Sequence, residues 1–392
     1  MCLYPRLIRN RKYTVTEKNG GNVPEVKDNR VLSVPVGCGK CGECRKQKAN
    51  QWRVRLLEDI RVNTGGNFMT LTFSDESLIE LDEKITKTGV FGGQLKGYDR
   101  DNEICSIAVR RFTERWRKKY GKTIRHWLVT ELGQEKTERV HMHGILWLDE
   151  KPKGYDGWKK KEQITYKIYD KEHEFGKNKV SWYEYNKEQV KDLDEKWGYG
   201  IVRIGDGKGI NYISEESIHY FIKYVHKTDK KHKEYTSKIY TSKGIGRNYT
   251  KRGDIKRNEY KKEGGTIETY KTRNGIELGL PIYYRNKIYT DDEKEELWLE
   301  KLDKKVRWVD GVRVDISEGE EEYYKLLEVK RAKNKRLGYG DDTENWERKK
   351  YENERRNLKK MERYERKWAE EEEEGKAIAD KLRSRVSISK SL

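Results

Sequence analysis

Residues 129–148 read VTELGQEKTERVHMHGILWL, and the reading of this stretch decides the fold. Around His141, Met142 and His143 the residues are β-branched or apolar, which predicts a strand over 140–148. Side chains alternate along a strand, so His141 and His143 fall on one face while Met142 falls on the other. The polar run before them predicts a turn, and the apolar run at 125–131 predicts the first strand of a hairpin. Two imidazoles side by side form a platform for a divalent metal. The hairpin also brings a carboxylate into reach, from Glu131 at the end of its first strand, or from Glu135 or Glu138 in the turn.

Working outward, FMTLTF at 68–73 alternates Met69, Leu71 and Phe73 with Thr70 and Thr72, the pattern of a half-buried strand. Another strand is expected over 200–204, and a helix over 107–120 that Gly121 closes, with Cys105 a core residue just ahead of it. Antiparallel strands with helices on one side make an α+β layer.

Residues 214–227, SEESIHYFIKYVHK, read as one helix with Ser214 as N-cap and Glu215 and Glu216 complementing the positive end of its dipole. Ile218, Phe221, Ile222 and Val225 form an apolar stripe. Tyr220 and Tyr224, four residues apart, are neighbours on the other side, with Lys223 and Lys227 close by. A phenol is a weak nucleophile at neutral pH unless a base or cation favours the phenolate, and a metal that polarises a phosphodiester eases the same attack. The chemistry indicated is phosphoryl transfer from DNA to tyrosine.

The H-x-H strand, the FMTLTF strand and the YFIKY helix resemble the three motifs of HUH endonucleases, the rolling-circle replication initiators. MCLY at 1–4, CGKCGECRKQKANQWRVR at 38–55 and the segment 218–249 ending KGIGRNY are similar to the initiators of Microviridae phages of the gokushovirus type. The resemblance covers about the first 250 residues. It implies an HUH-like central antiparallel sheet with flanking helices. It also implies a site-specific, metal-dependent DNA endonuclease and strand transferase, joined through phosphotyrosine to single-stranded DNA at the viral origin. By resemblance Glu131 is the third ligand beside His141 and His143, and Lys223 orients phosphate or stabilises a phenolate. Tyr220 and Tyr224 act in alternation, one joined to the 5′ phosphate while the other makes the next cut. Imidazole with carboxylate suits Mg²⁺ or Mn²⁺ and also accommodates Zn²⁺.

Composition agrees with a polyanionic partner. The 392 residues carry 87 Lys and Arg against 68 Asp and Glu, a net charge of +19. The 26 Tyr and 11 Trp interleave with lysine, notably over 155–199, a pattern suited to stacking on unpaired bases. With 33% hydrophobic and 40% charged residues, a core is expected in the N-terminal part rather than along the whole chain. No apolar run would span a bilayer and no signal peptide is evident, so a cytoplasmic location in a host bacterium, away from membranes, is expected.

Of five cysteines, Cys38, Cys41 and Cys44 share a C-x-x-C-x-x-C spacing, and Cys2 is the candidate fourth ligand of a structural Zn²⁺. The glycine-rich pieces at 205–209 and 244–246 do not match a phosphate-binding loop. With no ATPase motif in the chain, host helicase and DNA polymerase are expected partners.

The chain divides into four expected zones. A cysteine cluster and basic helix occupy 1–63, the endonuclease core 64–250, an accessory subdomain 251–340, and a charged tail, a lone helix or disordered, 341–392. Two rivals remain: a conjugative relaxase or transposase of the same superfamily, and a non-catalytic, zinc-stabilised single-stranded DNA-binding protein.

Overall fold

A computed structural model describes residues 2–63, 66–88, 95–134, 138–147, 158–160, 183–185, 193–204, 213–229, 231–343 and 346–389. In chain order, the antiparallel pair β1 (Arg6–Arg9) and β2 (Ser33–Val36) precedes helix α1 (Gly42–Ile60). Strand β3 (Gly66–Leu71), helices α2 (Asp75–Thr88) and α3 (Gly97–Tyr120), and strands β4 (Arg125–Leu132) and β5 (Val140–Trp147) follow. Next come β6 (Trp158–Lys160), β7 (Tyr183–Tyr185), β8 (Val202–Ile204), helices α4 (Glu215–Phe221) and α5 (Lys223–His226), and β9 (Ile239–Thr241). The remainder holds β10 (Thr269–Lys271), β11 (Glu277–Gly279), α6 (Ile282–Ile288), α7 (Asp291–Asp303), β12 (Val306–Val309), β13 (Val312–Asp315), α8 (Glu321–Arg336) and α9 (Trp346–Ser389). The chain is thus mixed helix and sheet, of the α+β class.

Contacts group these elements into two units that cut across the linear zones. One contains residues 65–213, 238–241 and 350–392, the other 1–64, 214–237 and 242–349.

The first unit is built on a five-stranded antiparallel sheet in the order β8, β3, β5, β4, β9. Its alternation buries Met69, Leu71, Leu128, Met142 and Leu146 completely. Gly144 is required where β5 lies against β4, because a Cβ there would sit 2.0 Å from the Trp127 carbonyl oxygen. Helix α3 begins ten residues earlier than the expected residue 107. Ile104, Cys105 and Ala108 extend its buried stripe one way and Phe112 and Trp116 the other, so Cys105 is a core residue inside the helix rather than ahead of it. Gly121, with φ +76°, ends it as expected, its N–H donating to the Arg117 carbonyl at 2.9 Å.

The tail takes the helical one of the two states expected for it, but part of that helix is packed rather than solvated. It is helical as α9, and Glu352, Arg356 and Arg363 are buried in the first unit. Arg356 grips Asp101 of α3 with two parallel bonds of 2.9 and 3.0 Å and donates a third, of 2.8 Å, to the Glu138 carbonyl. Glu352 accepts a 2.6 Å bond from the Tyr98 hydroxyl. Dense charge ordinarily signals solvation, but here charged residues are themselves the packing face: Arg356 and Glu352 are hydrogen-bonded as burial demands, and Arg363 stands 3.7 Å from the Asp75 carboxylate.

In the second unit α1 packs against α4 and α5. One apolar cluster joins Cys2, Leu3 and Cys41 to Val309, Val314, Tyr323 and Leu327. Another joins Val54 of α1 to Tyr249, Tyr270, Leu280, Tyr284, Tyr289 and Leu297, so the N-terminal helix and residues 251–340 share a core. The KGIGRNY stretch is held on α1: the Gly246 N–H donates to the buried Asp59 carboxylate at 2.8 Å, and its carbonyl accepts from the Tyr284 hydroxyl at 2.7 Å. A side chain at Gly246 would meet the Arg55 carbonyl oxygen at 2.5 Å, and φ is +75° there, so both space and conformation demand glycine.

Candidate metal centres and nucleophiles

The two strands of the hairpin expected from residues 125–148 pair antiparallel as β4 and β5, in a register that groups the candidate donors. Glu131 of β4 lies directly opposite His141 of β5, and His143 opposes Val129, which makes Glu131 its diagonal neighbour on the same face. The Glu131 carboxylate oxygen is 3.1 Å from His143 Nε2 and 3.7 Å from His141 Nε2. Their side chains are between 14% and 21% exposed, which leaves a path from solvent to the donors. All three donor atoms lie within 4.8 Å of one another.

Both imidazoles are held by their other nitrogen. His141 Nδ1 is 3.3 Å from the Arg139 carbonyl, and His143 Nδ1 is 3.0 Å from the Thr70 hydroxyl of β3, its cross-strand partner. With Nδ1 engaged, Nε2 is the nitrogen turned to the carboxylate, which is the arrangement that fixes tautomer and ring orientation in a metal site. Thr70 is the residue whose role sequence reasoning missed: only the pairing Thr70 to His143 reveals it, and strand alternation alone supplies its face but not its partner. Of the alternative carboxylates, Glu138 is buried at φ +46°, its oxygen pairs with Arg355, and it does not group with the two imidazoles as Glu131 does. Glu135 lies outside the described residues.

The four N-terminal cysteines also converge, with Cys2, Cys38, Cys41 and Cys44 sulfurs within 4.8 Å of one another and none in a disulfide. Cys2 Sγ is 3.9 Å from Cys41 Sγ, and Cys38 Sγ 4.0 Å from Cys44 Sγ. Tetrahedral zinc with bonds of about 2.3 Å separates its sulfurs by about 3.8 Å, so the spacing fits. Backbone N–H groups of Tyr4 and Cys38 donate to Cys2 Sγ, that of Cys41 to Cys38 Sγ and that of Cys44 to Cys41 Sγ, at 3.2–3.4 Å. Such donors favour thiolate sulfur. Contacts from Cys2, Cys41 and Cys44 hold the Cys38 thiol far below the ordinary range, while neighbouring sulfurs push Cys44 far above it. Four thiolates this close would repel one another, and a bound cation would offset that charge.

The tyrosine segment begins as expected, with Ser214 capping α4 in a reciprocal box with Ser217. The single helix of the sequence reading is instead two, α4 and α5, separated at Ile222, where the backbone tightens and Val225 N–H bonds the Ile222 carbonyl three residues back. Ile222 keeps right-handed helical angles, so the faces survive: Ile218, Phe221, Ile222 and Val225 are buried, and Tyr220 is 40% exposed. The two hydroxyls lie 3.5 Å apart, with ring centroids 6.0 Å apart. Lys223 Nζ stands 3.3 Å from the Tyr220 ring centroid and 5.5 Å from that of Tyr224. The structure therefore brings Tyr220, Tyr224 and Lys223 together. Lys227 is exposed just beyond α5. Tyr220 and Tyr224 belong to one unit, and Glu131, His141 and His143 to the other.

Residues 66–229, which carry both motifs, match the model of the replication-associated protein ORF2 family. These residues resemble a replication-associated protein. Across 196 residues the chain is 24% identical to the replication-associated protein ORF4 of Chlamydia phage 1, covering 50% of this chain and 39% of that protein. The chain therefore spans about two-fifths of the length of the curated relative it matches. The two findings support a Microviridae replication initiator, in line with the resemblance seen in the motifs. No solved structure matches. Most of the lysine- and aromatic-rich segment 155–199 of this initiator-like region lies outside the described residues. No described helix is long and apolar enough to cross a membrane.

Proposed function

We propose that the protein is a metal-dependent, HUH-type DNA endonuclease and strand transferase that nicks a phage origin to start rolling-circle replication. The observation that carries this is the pair of phenols 3.5 Å apart, turned away from a buried apolar stripe with the Lys223 ammonium over the Tyr220 ring, in a region that matches replication-associated proteins. In the step proposed, the oxygen of Tyr220 or Tyr224 attacks phosphorus at the origin. The new O–P bond joins protein to the 5′ end as the P–O3′ bond breaks, and the phenolic proton is balanced by the 3′-OH released as primer. Lys223, at both rings, favours the phenolate and meets phosphate charge. The neighbouring phenol is then available to cut the regenerated origin.

His141, His143 and Glu131 would hold Mg²⁺ or Mn²⁺, and a bound ion would supply Lewis-acid polarisation of the phosphodiester. Thr70 and the Arg139 carbonyl keep the two Nε2 atoms aimed at that position. Cys2, Cys38, Cys41 and Cys44 would hold a structural Zn²⁺ that ties the N-terminus to the start of α1. Single-stranded origin DNA is the proposed substrate, and host helicase and polymerase are the proposed partners. The test uses single-stranded oligonucleotides tiling the genome that encodes the chain, with Mg²⁺ or Mn²⁺ and with chelator. One oligonucleotide should yield a covalent protein–DNA species and a free 3′-OH only when the cation is present. Absence of cleavage across the whole tiling set would refute the reading.

A further inference from the structure

Helix α1 carries a cation that neither the nicking chemistry nor the cysteine cluster uses. Arg53 Nε is buried without a hydrogen-bond partner, and among the described residues its guanidinium forms no ion pair. It lines a cavity of about 460 Å³ together with His226, the last residue of α5, two positions beyond Tyr224. Burial first, and the charge of Arg53 second, hold the His226 imidazole below its ordinary value, so the two groups sense each other across this wall. Lys333 of α8 also lines the cavity with no ion pair among the described residues. Lys46 and Lys330, by contrast, are balanced by Asp310 at 3.6 and 2.8 Å. Leu278, Leu337 and Tyr339 also line the cavity.

A half-buried guanidinium without a counter-ion is costly unless an anion completes it, and the apolar and aromatic side chains that share its cavity can pack against a flat ring. Phosphate and base together are the chemistry of a nucleotide, and phosphate contacts with stacking are how unpaired strands are held. We propose that this cavity binds one nucleotide of the single strand adjacent to the cleavage point, its phosphate on Arg53 and His226 and its base against Leu278, Leu337 and Tyr339. The assignment of that strand as DNA undergoing cleavage rests on the nicking reading above.

The test measures binding of a fluorescent single-stranded oligonucleotide by anisotropy, using the full chain with Tyr220→Phe and Tyr224→Phe, so that binding is read apart from chemistry. Adding Arg53→Gln should weaken binding about tenfold and make the log affinity versus log salt slope shallower by about one, with Arg53→Lys recovering most of both. Leu278→Trp, which fills the cavity, should weaken binding by a similar factor at unchanged slope. If Arg53→Gln fails to fold by thermal unfolding, Lys333→Gln and Leu278→Trp carry the same test. A deoxynucleoside monophosphate should compete with the strand. Unchanged affinity and slope in the folded variants would overturn the proposal, as would a monophosphate site that the oligonucleotide does not displace. Failure of the wild-type chain to form a covalent adduct would count against the nicking reading alone, because the anisotropy readout does not depend on it.

Discussion

The two clusters of metal-ligating side chains differ in the way that separates a closed site from an open one. The cysteine cluster offers four soft donors, and Cys2 and Cys41 in it are buried. Its sulfurs are spaced for a tetrahedron and fed by backbone N–H groups, so a cation there would have no position left for a substrate. The Glu131, His141 and His143 cluster offers three harder donors on one sheet face, partly open to solvent, which leaves coordination positions to fill. Both are convergences of residues, and under the proposed function the donor set and the openness would give them opposite tasks. The lesson is that a metal site is read from what it leaves unoccupied as much as from what it provides.

That contrast can be broken by experiment. The largest effect is expected from Cys41→Ser, whose sulfur is fully buried: zinc content should fall from about one per chain to none, and the unit containing residues 1–64 should lose several kcal/mol of stability. Elemental analysis with thermal unfolding checks this, and equal stability of a metal-free wild type would refute a structural role. Replacing His141 and His143 together with Ala should do the converse. Nicking should fall by about a hundredfold or more while thermal stability stays near wild type, as expected for lost Lewis-acid assistance worth several kcal/mol. Nicking at the wild-type rate by the double variant would remove the metal assignment, and a large loss of stability would erase the contrast with the cysteines. Thr70→Val should have the smallest effect. It removes the hydroxyl at His143 Nδ1, so the Mg²⁺ or Mn²⁺ concentration for half-maximal nicking should rise roughly 10- to 100-fold with little change at saturation. An unchanged metal requirement would show that the β3–β5 pairing alone orients the ring.

Much of this is legible in the chain because strand alternation ties face to sequence: His141 and His143 can be set on one strand face from their spacing, while Glu131 is singled out from Glu135 and Glu138 only by the resemblance. Period and capping likewise place Ser214 as N-cap and the tyrosines off the buried stripe. The partner of Thr70 is not legible, since it depends on the register between β3 and β5, which are separated by two helices and β4. Nor is the role of the tail, because Arg356 and Glu352 are residues whose pattern signals solvent unless Asp101 and Tyr98 are known to await them. The grouping into units is hidden for a related reason. Residues 238–241 return to supply the edge strand β9, and no local periodicity announces such a crossing.

The proposed nicking rests most on the Tyr220 and Tyr224 hydroxyls, and the most direct measurement is mass-spectrometric mapping of the covalent adduct in tyrosine variants. Tyr220→Phe and Tyr224→Phe each remove one hydroxyl of a pair whose rings keep their packing. Each single variant should retain adduct on the remaining tyrosine yet fail to complete strand transfer to a second origin. The double variant should give no adduct while still binding the oligonucleotide. An adduct in the double variant, located on a tyrosine elsewhere in the chain, would contradict the assignment outright.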